Sequence, residues 1–158
     1  MVGYARSGKD ESAKALIAKG FEQRAFASEL KDEICRTFGL SREQLEADKT
    51  IWRPLLVEWG RGRRRLDADY WLKKVATNLP AGDTVITDVR YLNEAMWVQN
   101  LGGTLLRVVR PGVGPTNDEE RVTIAEIDFK MQRKMHVVDN GGTIEDLHKK
   151  VEAIWRNL

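Results

Sequence analysis

A chain of 158 residues with 42% apolar side chains is long enough to bury a core of its own as one compact domain. Its 26 basic and 24 acidic side chains leave a net charge of only +2, so bulk attraction to nucleic acid or anionic lipid is excluded and basic character must be local. Cys35 is the one cysteine, which rules out an intrachain disulfide and a cysteine-based zinc site, and no apolar run approaches membrane-spanning length. The chain reads as a soluble protein of the cytoplasm, with no membrane partner.

In chain order, Gly3-Tyr4-Ala5-Arg6-Ser7-Gly8-Lys9-Asp10 matches the G-x-x-x-x-G-K core of a phosphate-binding loop. Such a loop needs glycines to curl its N–H groups inward, a lysine as mobile cation, and a helix start behind it. Ala13, Leu16 and Ile17 supply the apolar stripe of that helix. Phe21 to Phe26 reads as a short strand, Ser28 as the cap of a helix bearing Leu30, Ile34, Cys35 and Phe38, and Ser41 as the start of a short helix around Leu45. Within that pattern Cys35 is expected to be a core thiol. Trp52 to Val75 is mainly helical, interrupted by Gly60, Gly62 and the run Arg61, Arg63, Arg64, Arg65. After the break at Pro80-Ala81-Gly82, Thr84 to Thr87 reads as a buried strand delivering Asp88, Leu92 to Leu101 as a helix closed by Gly102-Gly103, and Thr104 to Val109 as the next strand. Gly112 to Asp118 reads as a mobile loop. Met135 to Val138 is a last strand, and Thr143 caps a helix turning Ile144, Leu147, Val151 and Ile154 to the core. Strands separated by helices predict a three-layer α/β/α arrangement with a parallel sheet of about five strands.

A second constellation is Asp88-Val89-Arg90, with Glu94 one turn later. Ligands of open parallel sheets bind beyond the carboxyl ends of the strands, where a carboxylate holds Mg²⁺ and a guanidinium grips phosphate. The plainer account of these residues is a helix cap and an Arg90–Glu94 surface pair. His136 and His148 are expected to be structural or solvent-exposed.

The Gly3–Asp10 block, Val85 to Glu94, Gly102-Gly103 and Val109-Arg110-Pro111-Gly112, with Arg53-Pro54-Leu55-Leu56 and Trp71 between them, together resemble phage-type deoxynucleoside monophosphate kinases of the P-loop kinase superfamily. The resemblance covers most of the chain. It implies an adenylate-kinase-like P-loop NTPase fold, transfer of the γ-phosphoryl group of ATP to a deoxynucleoside monophosphate, and Mg²⁺ as cofactor. It implies a single kinase domain over residues 1–158, with a helical substrate-binding region over about 41–78 and a lid over about 112–133. Carried over, Ala5, Arg6, Ser7, Gly8, Lys9, Asp10 and Glu11 would hold the ATP phosphates. Lys9, Asp88 and Arg90 would be catalytic, and Asp10 and Asp88 would face the metal. Arg53, Arg65, Trp71, Arg90 and Glu94 would bind the acceptor, and Arg110 and Arg121 would flank the lid.

The chain departs from the pattern at two places. Asp10 and Glu11 stand where a hydroxyl usually holds Mg²⁺, so ATP binding is expected to depend strongly on the metal. Only Met1 and Val2 precede the loop, so either the encoded chain starts upstream or a minimal strand suffices. The competing reading is a non-catalytic or truncated nucleotide or nucleic-acid binding protein, since arginines beside Trp52, Trp59, Tyr70 and Trp71 also suit single strands. A nucleic-acid partner is not expected at this net charge, and a homodimer is left open.

Overall fold

The computed structural model describes residues 1–158, which divide into two compact units: Met1–Gln23 with Pro80–Leu158, and the intervening Arg24–Leu79. The secondary structure is mixed α/β, and no helix is long and apolar enough to cross a membrane.

In the first unit, α1 (Lys9–Ile17) follows the glycine-bracketed loop, and β1 (Glu22–Arg24) runs to the boundary between the units. Then come β2 (Thr84–Ile86), α6 (Leu92–Asn100), β3 (Leu105–Val109), α7 (Asp118–Met131), β4 (Met135–Asp139) and α8 (Ile144–Arg156), the labels α2 to α5 falling in the second unit. The parallel sheet of about five strands is not what forms: β1 pairs with β2, and β3 runs parallel to β4 from Leu105 opposite Met135 to Val109 opposite Asp139. Val2 makes single parallel bridges to Val89 on one side and Arg107 on the other. Its N–H donates to the Leu106 carbonyl at 2.8 Å and its own carbonyl accepts from Val108 N–H at 2.8 Å, while Val89 N–H reaches the Met1 carbonyl at 3.2 Å. Two residues ahead of Gly3 offer a bridging position where a ladder needs several consecutive extended residues.

Met1 belongs to a core formed with Ala13 and Leu16 of α1, Val85 of β2, Leu106 and Val108 of β3, Val138 of β4, and Leu147 and Val151 of α8. Phe21 meets Trp155 edge-on at 5.9 Å at its margin. Thr143 and Asp146 close a capping box at the start of α8. Ile144 is exposed, because at the first helical position periodicity carries no information about how far the core extends. The sequence reading left α7 unassigned. Its signals are Asn117, whose side chain accepts from Glu120 N–H, three acids in the first turn, and the buried spacing Ile124, Ile127, Met131. Residues 112–133, expected to form a lid, therefore contain a four-turn helix after the loop.

The second unit is all helix: α2 (Phe26–Phe38), α3 (Arg42–Ala47), α4 (Lys49–Leu66) and α5 (Tyr70–Thr77). Ile34, Cys35, Leu45 and Leu56 form its core, with Trp52 and Trp59 against it, so Cys35 is the core thiol expected. α2 begins at Phe26 after Ala25, three residues earlier than a Ser28 cap would allow. α4 passes unbroken through Pro54, Gly60 and Gly62. Gly60 marks close packing, since an added Cβ would lie 3.4 Å from Leu30 and its carbonyl accepts from Trp71 Nε1 at 3.1 Å. The break falls at Asp67, whose carboxylate accepts from Asp69 N–H at 3.0 Å and Lys73 Nζ at 2.7 Å.

Candidate active site

The loop from Gly3 to Lys9 is curled and tied down from several directions. Gly8 precedes α1 with φ of 100°, a region open to glycine, and an added Cβ would lie 2.3 Å from Asn140 Nδ2. Asn140, on the turn after β4, donates to the Ser7 carbonyl at 2.8 Å. Arg6 is the one non-glycine residue at positive φ, 66°. Lys9 Nζ donates to the carbonyls of Gly3 and Tyr4, both at 2.8 Å, so its ammonium lies within the curl. At any helix start the first N–H groups have no intrahelical acceptor, so α1 offers donors beside that ammonium.

Burial, then the charge of Arg90, lowers the proton affinity of Lys9, against the opposing pull of Asp10, Glu120 and Asp88. The first unit thus assembles Lys9, Asp88 and Arg90 into one electrostatic neighbourhood. Arg90 is exposed and Asp88 half-buried just beyond β2. Glu94 is 2% exposed, and its carboxylate accepts from the N–H groups of Arg90 at 2.8 Å and Tyr91 at 3.1 Å, so it caps α6 and orients the Arg90 backbone. Asp10 is exposed in the first turn of α1, whereas Glu11 is held by Lys14 at 2.7 Å and by His148 Nε2 at 3.1 Å. The Oγ atoms of Ser7 and Ser12 are buried with no protein partner. Arg110 is exposed after β3, and Arg121 pairs with Asp118 at 3.2 Å on the exposed side of α7.

Two residues of this unit escaped the sequence reading. Asn140 was assigned only to a turn. Glu120, 8% exposed on α7, accepts from Ala5 N–H at 2.7 Å with one oxygen, and from the Thr116 N–H at 2.7 Å and hydroxyl at 2.9 Å with the other. Burial pushes its carboxyl up, but these bonds and the Arg90 charge outweigh burial and hold it below the usual range.

In the second unit, Arg53 and Arg65 are exposed on α4, while Trp71 is 4% exposed and packs as core. The arginine run is only partly a solvated face. Arg61 pairs with Glu58 at 3.0 Å, but Arg63 pairs with buried Glu33 at 2.7 Å and lies over the rings of Trp59 and Tyr70 at 5.4 and 5.0 Å. Glu33 also accepts from Trp59 Nε1 at 2.9 Å and the Tyr70 hydroxyl at 2.5 Å. Burial raises its pKa, and these hydrogen bonds lower it further than burial raises it. Nothing in sequence spacing marked Glu33, since its partners are 26 to 37 residues away.

No group of three or more His, Cys, Asp or Glu side chains is arranged to hold a metal ion by itself. The donor set that does exist, Asp10 and Asp88 beside a curled run of backbone donors and two cations, fits an anion that brings its own oxygens to a metal.

No family model matches the chain. It is 26% identical, over 96% of its length and 92% of the relative's, to a protein of Acanthamoeba polyphaga mimivirus named as a deoxynucleotide monophosphate kinase. It is 31% identical to the deoxynucleotide monophosphate kinase of Escherichia phage RB69 over 57% of this chain and 38% of that protein. The crystal structure of TT1252 from Thermus thermophilus superposes with a TM-score of 0.54 at 20% identity, covering 99% of this chain and 94% of that one, which speaks for the fold alone. By these similarities the chain resembles the deoxynucleotide monophosphate kinases named in mimivirus and phage.

Proposed function

We propose that the chain is an ATP-dependent P-loop kinase that phosphorylates a deoxynucleoside monophosphate. The observation that carries this is the seat of Lys9: an ammonium 2.8 Å from two loop carbonyls, in the field of a second cation, Arg90. Two cations converging beside open backbone donors repel each other until a polyanion arrives. The kinship with deoxynucleotide monophosphate kinases supplies the chemistry that such an anion would undergo.

In this reading the loop from Ala5 to Glu11 receives the β- and γ-phosphates. An oxygen of the acceptor phosphate attacks the γ-phosphorus, the bond from that phosphorus to the bridging oxygen breaks, and ADP leaves. Lys9 neutralises charge on the transferring group, and Arg90 orients the acceptor phosphate, its backbone fixed by Glu94. Mg²⁺, when bound with ATP, would screen the phosphate charge, and Asp10 and Asp88 are the carboxylates that would hold it. Arg110 and Arg121 are the arginines that flank the proposed lid. Within the second unit, Arg53 and Arg65 are the exposed guanidiniums an acceptor phosphate could meet, and Trp71 acts by packing.

The test is a coupled ADP-release assay with Mg·ATP and each of dAMP, dGMP, dCMP, dTMP and dUMP. Turnover with at least one acceptor is expected, falling about 100- to 1,000-fold in Lys9→Ala. A folded protein that turns over none of them would overturn the kinase reading. Because Asp10 and Glu11 stand beside the triphosphate site, ATP affinity is expected to drop in excess chelator, and equal affinity would remove the metal from the scheme.

A further inference from the structure

Ala5 N–H is bound by a carboxylate from α7, 115 residues away in sequence. The next residue, Arg6, holds a left-handed backbone that is unfavourable for a non-glycine residue and persists only where its surroundings impose it. Glu120 bonds on the entry side of that strained residue and leaves the N–H groups of the α1 first turn to a ligand. A second contact from α7 lies two turns on. Asp128 accepts two hydrogen bonds from the Arg107 guanidinium, at 2.7 and 3.1 Å, and that guanidinium lies 5.0 Å from the Tyr4 ring centre. α7 therefore holds Ala5 directly and reaches Tyr4 through Arg107, while the other oxygen of Glu120 holds Thr116 in the loop before the helix.

We propose that Glu120 is a positioning residue for the nucleotide site: its carboxylate holds the Gly3–Lys9 loop in its curled form and ties that form to the loop at Thr116. This rests on the kinase reading above. The simpler role for Glu120 is to cap α7 through Thr116, a role shared by Asn117, which accepts from Glu120 N–H at 2.8 Å and does not touch Ala5. Glu120→Gln separates the two roles. An amide has one acceptor oxygen, so it satisfies either Ala5 or Thr116 and turns a donor toward the other.

Mg·ATP binding to the full chain is titrated calorimetrically for the parent, Glu120→Gln, Asn117→Ala and Lys9→Ala, with amide exchange followed at residues 5–9 and 113–117. Glu120→Gln is expected to bind Mg·ATP at least about tenfold more weakly, to expose Ala5 to faster exchange, and to raise KM for ATP more than it lowers kcat. Asn117→Ala is expected to lower stability while binding ATP like the parent. Equal weakening in both variants, or ATP affinity within about twofold of the parent in Glu120→Gln, reduces Glu120 to a helix cap and overturns the proposal. A parent that binds no ATP would sink the kinase reading instead, and exchange at Ala5 then decides: protection unchanged in Glu120→Gln overturns the tether, and protection lost upholds it.

Discussion

Gly8 shows how much of the site a single residue carries. Its φ of 100° admits glycine, and the space where a side chain would begin is taken by Asn140, 2.3 Å from an ideal Cβ. Gly8→Ala must therefore both strain the backbone and displace the side chain that holds the Ser7 carbonyl. A loss of about 1–3 kcal/mol in urea unfolding is expected, together with loss of ATP affinity. An alanine variant matching the parent in both would mean that the curl is not needed. The glycines and Lys9 were legible because they match a phosphate-loop motif of fixed spacing. Asn140 was not, because its partner is 133 residues away and an Asn before two glycines reads equally well as a turn. Glu120 was hidden for the same reason, although the Asn-acid run that starts α7 stood in the sequence.

At the scale of elements, the second unit is organised by one carboxylate. Glu33 on α2 joins Trp59 and Arg63 of α4 to Tyr70 of α5, so three helices meet on two oxygens. Helical periodicity placed Glu33 beside Ile34 and Cys35 but gave no reason to bury it, and the glycines of α4 read as breaks because their neighbours across the helix were unknown. Glu33→Gln keeps the shape and removes the charge from three donors. It is expected to cost about 1–3 kcal/mol at pH 7. The pH dependence follows from direction alone. The folded-state pKa of Glu33 lies below its ordinary 4.5, so the unfolded chain takes up the proton first as pH falls. The stabilisation is present in full above about pH 4.5 and is lost as pH drops through the folded value. Glu120, also lowered, acts in the same direction. Denaturant titrations from pH 7 to 3 should show stability falling below about pH 4.5, with a shallower fall in Glu33→Gln. Parallel curves would mean that Glu33 is not a source of the acid sensitivity.

For the whole molecule, strand and helix alternation led to the α/β class, but one five-strand sheet was too regular an extrapolation. The pairing that links β3–β4 to the neighbourhood of β2 is concentrated in Val2, whose single-residue contribution no periodicity can register. Nor did spacing show that Arg24–Leu79 closes on a core of its own, because burial of Ile34, Leu45 and Leu56 against one another depends on how four helices pack. That separation has an energetic consequence. Leu45 is fully buried in the second unit, and Leu45→Ala should cost about 2–5 kcal/mol. If the units open separately, native-state hydrogen exchange will show the loss in α2 to α5, while amides of β3 and β4, packed with Val108 and Val138, keep their parent protection. Protection falling equally in both places would mean that one cooperative transition spans the chain.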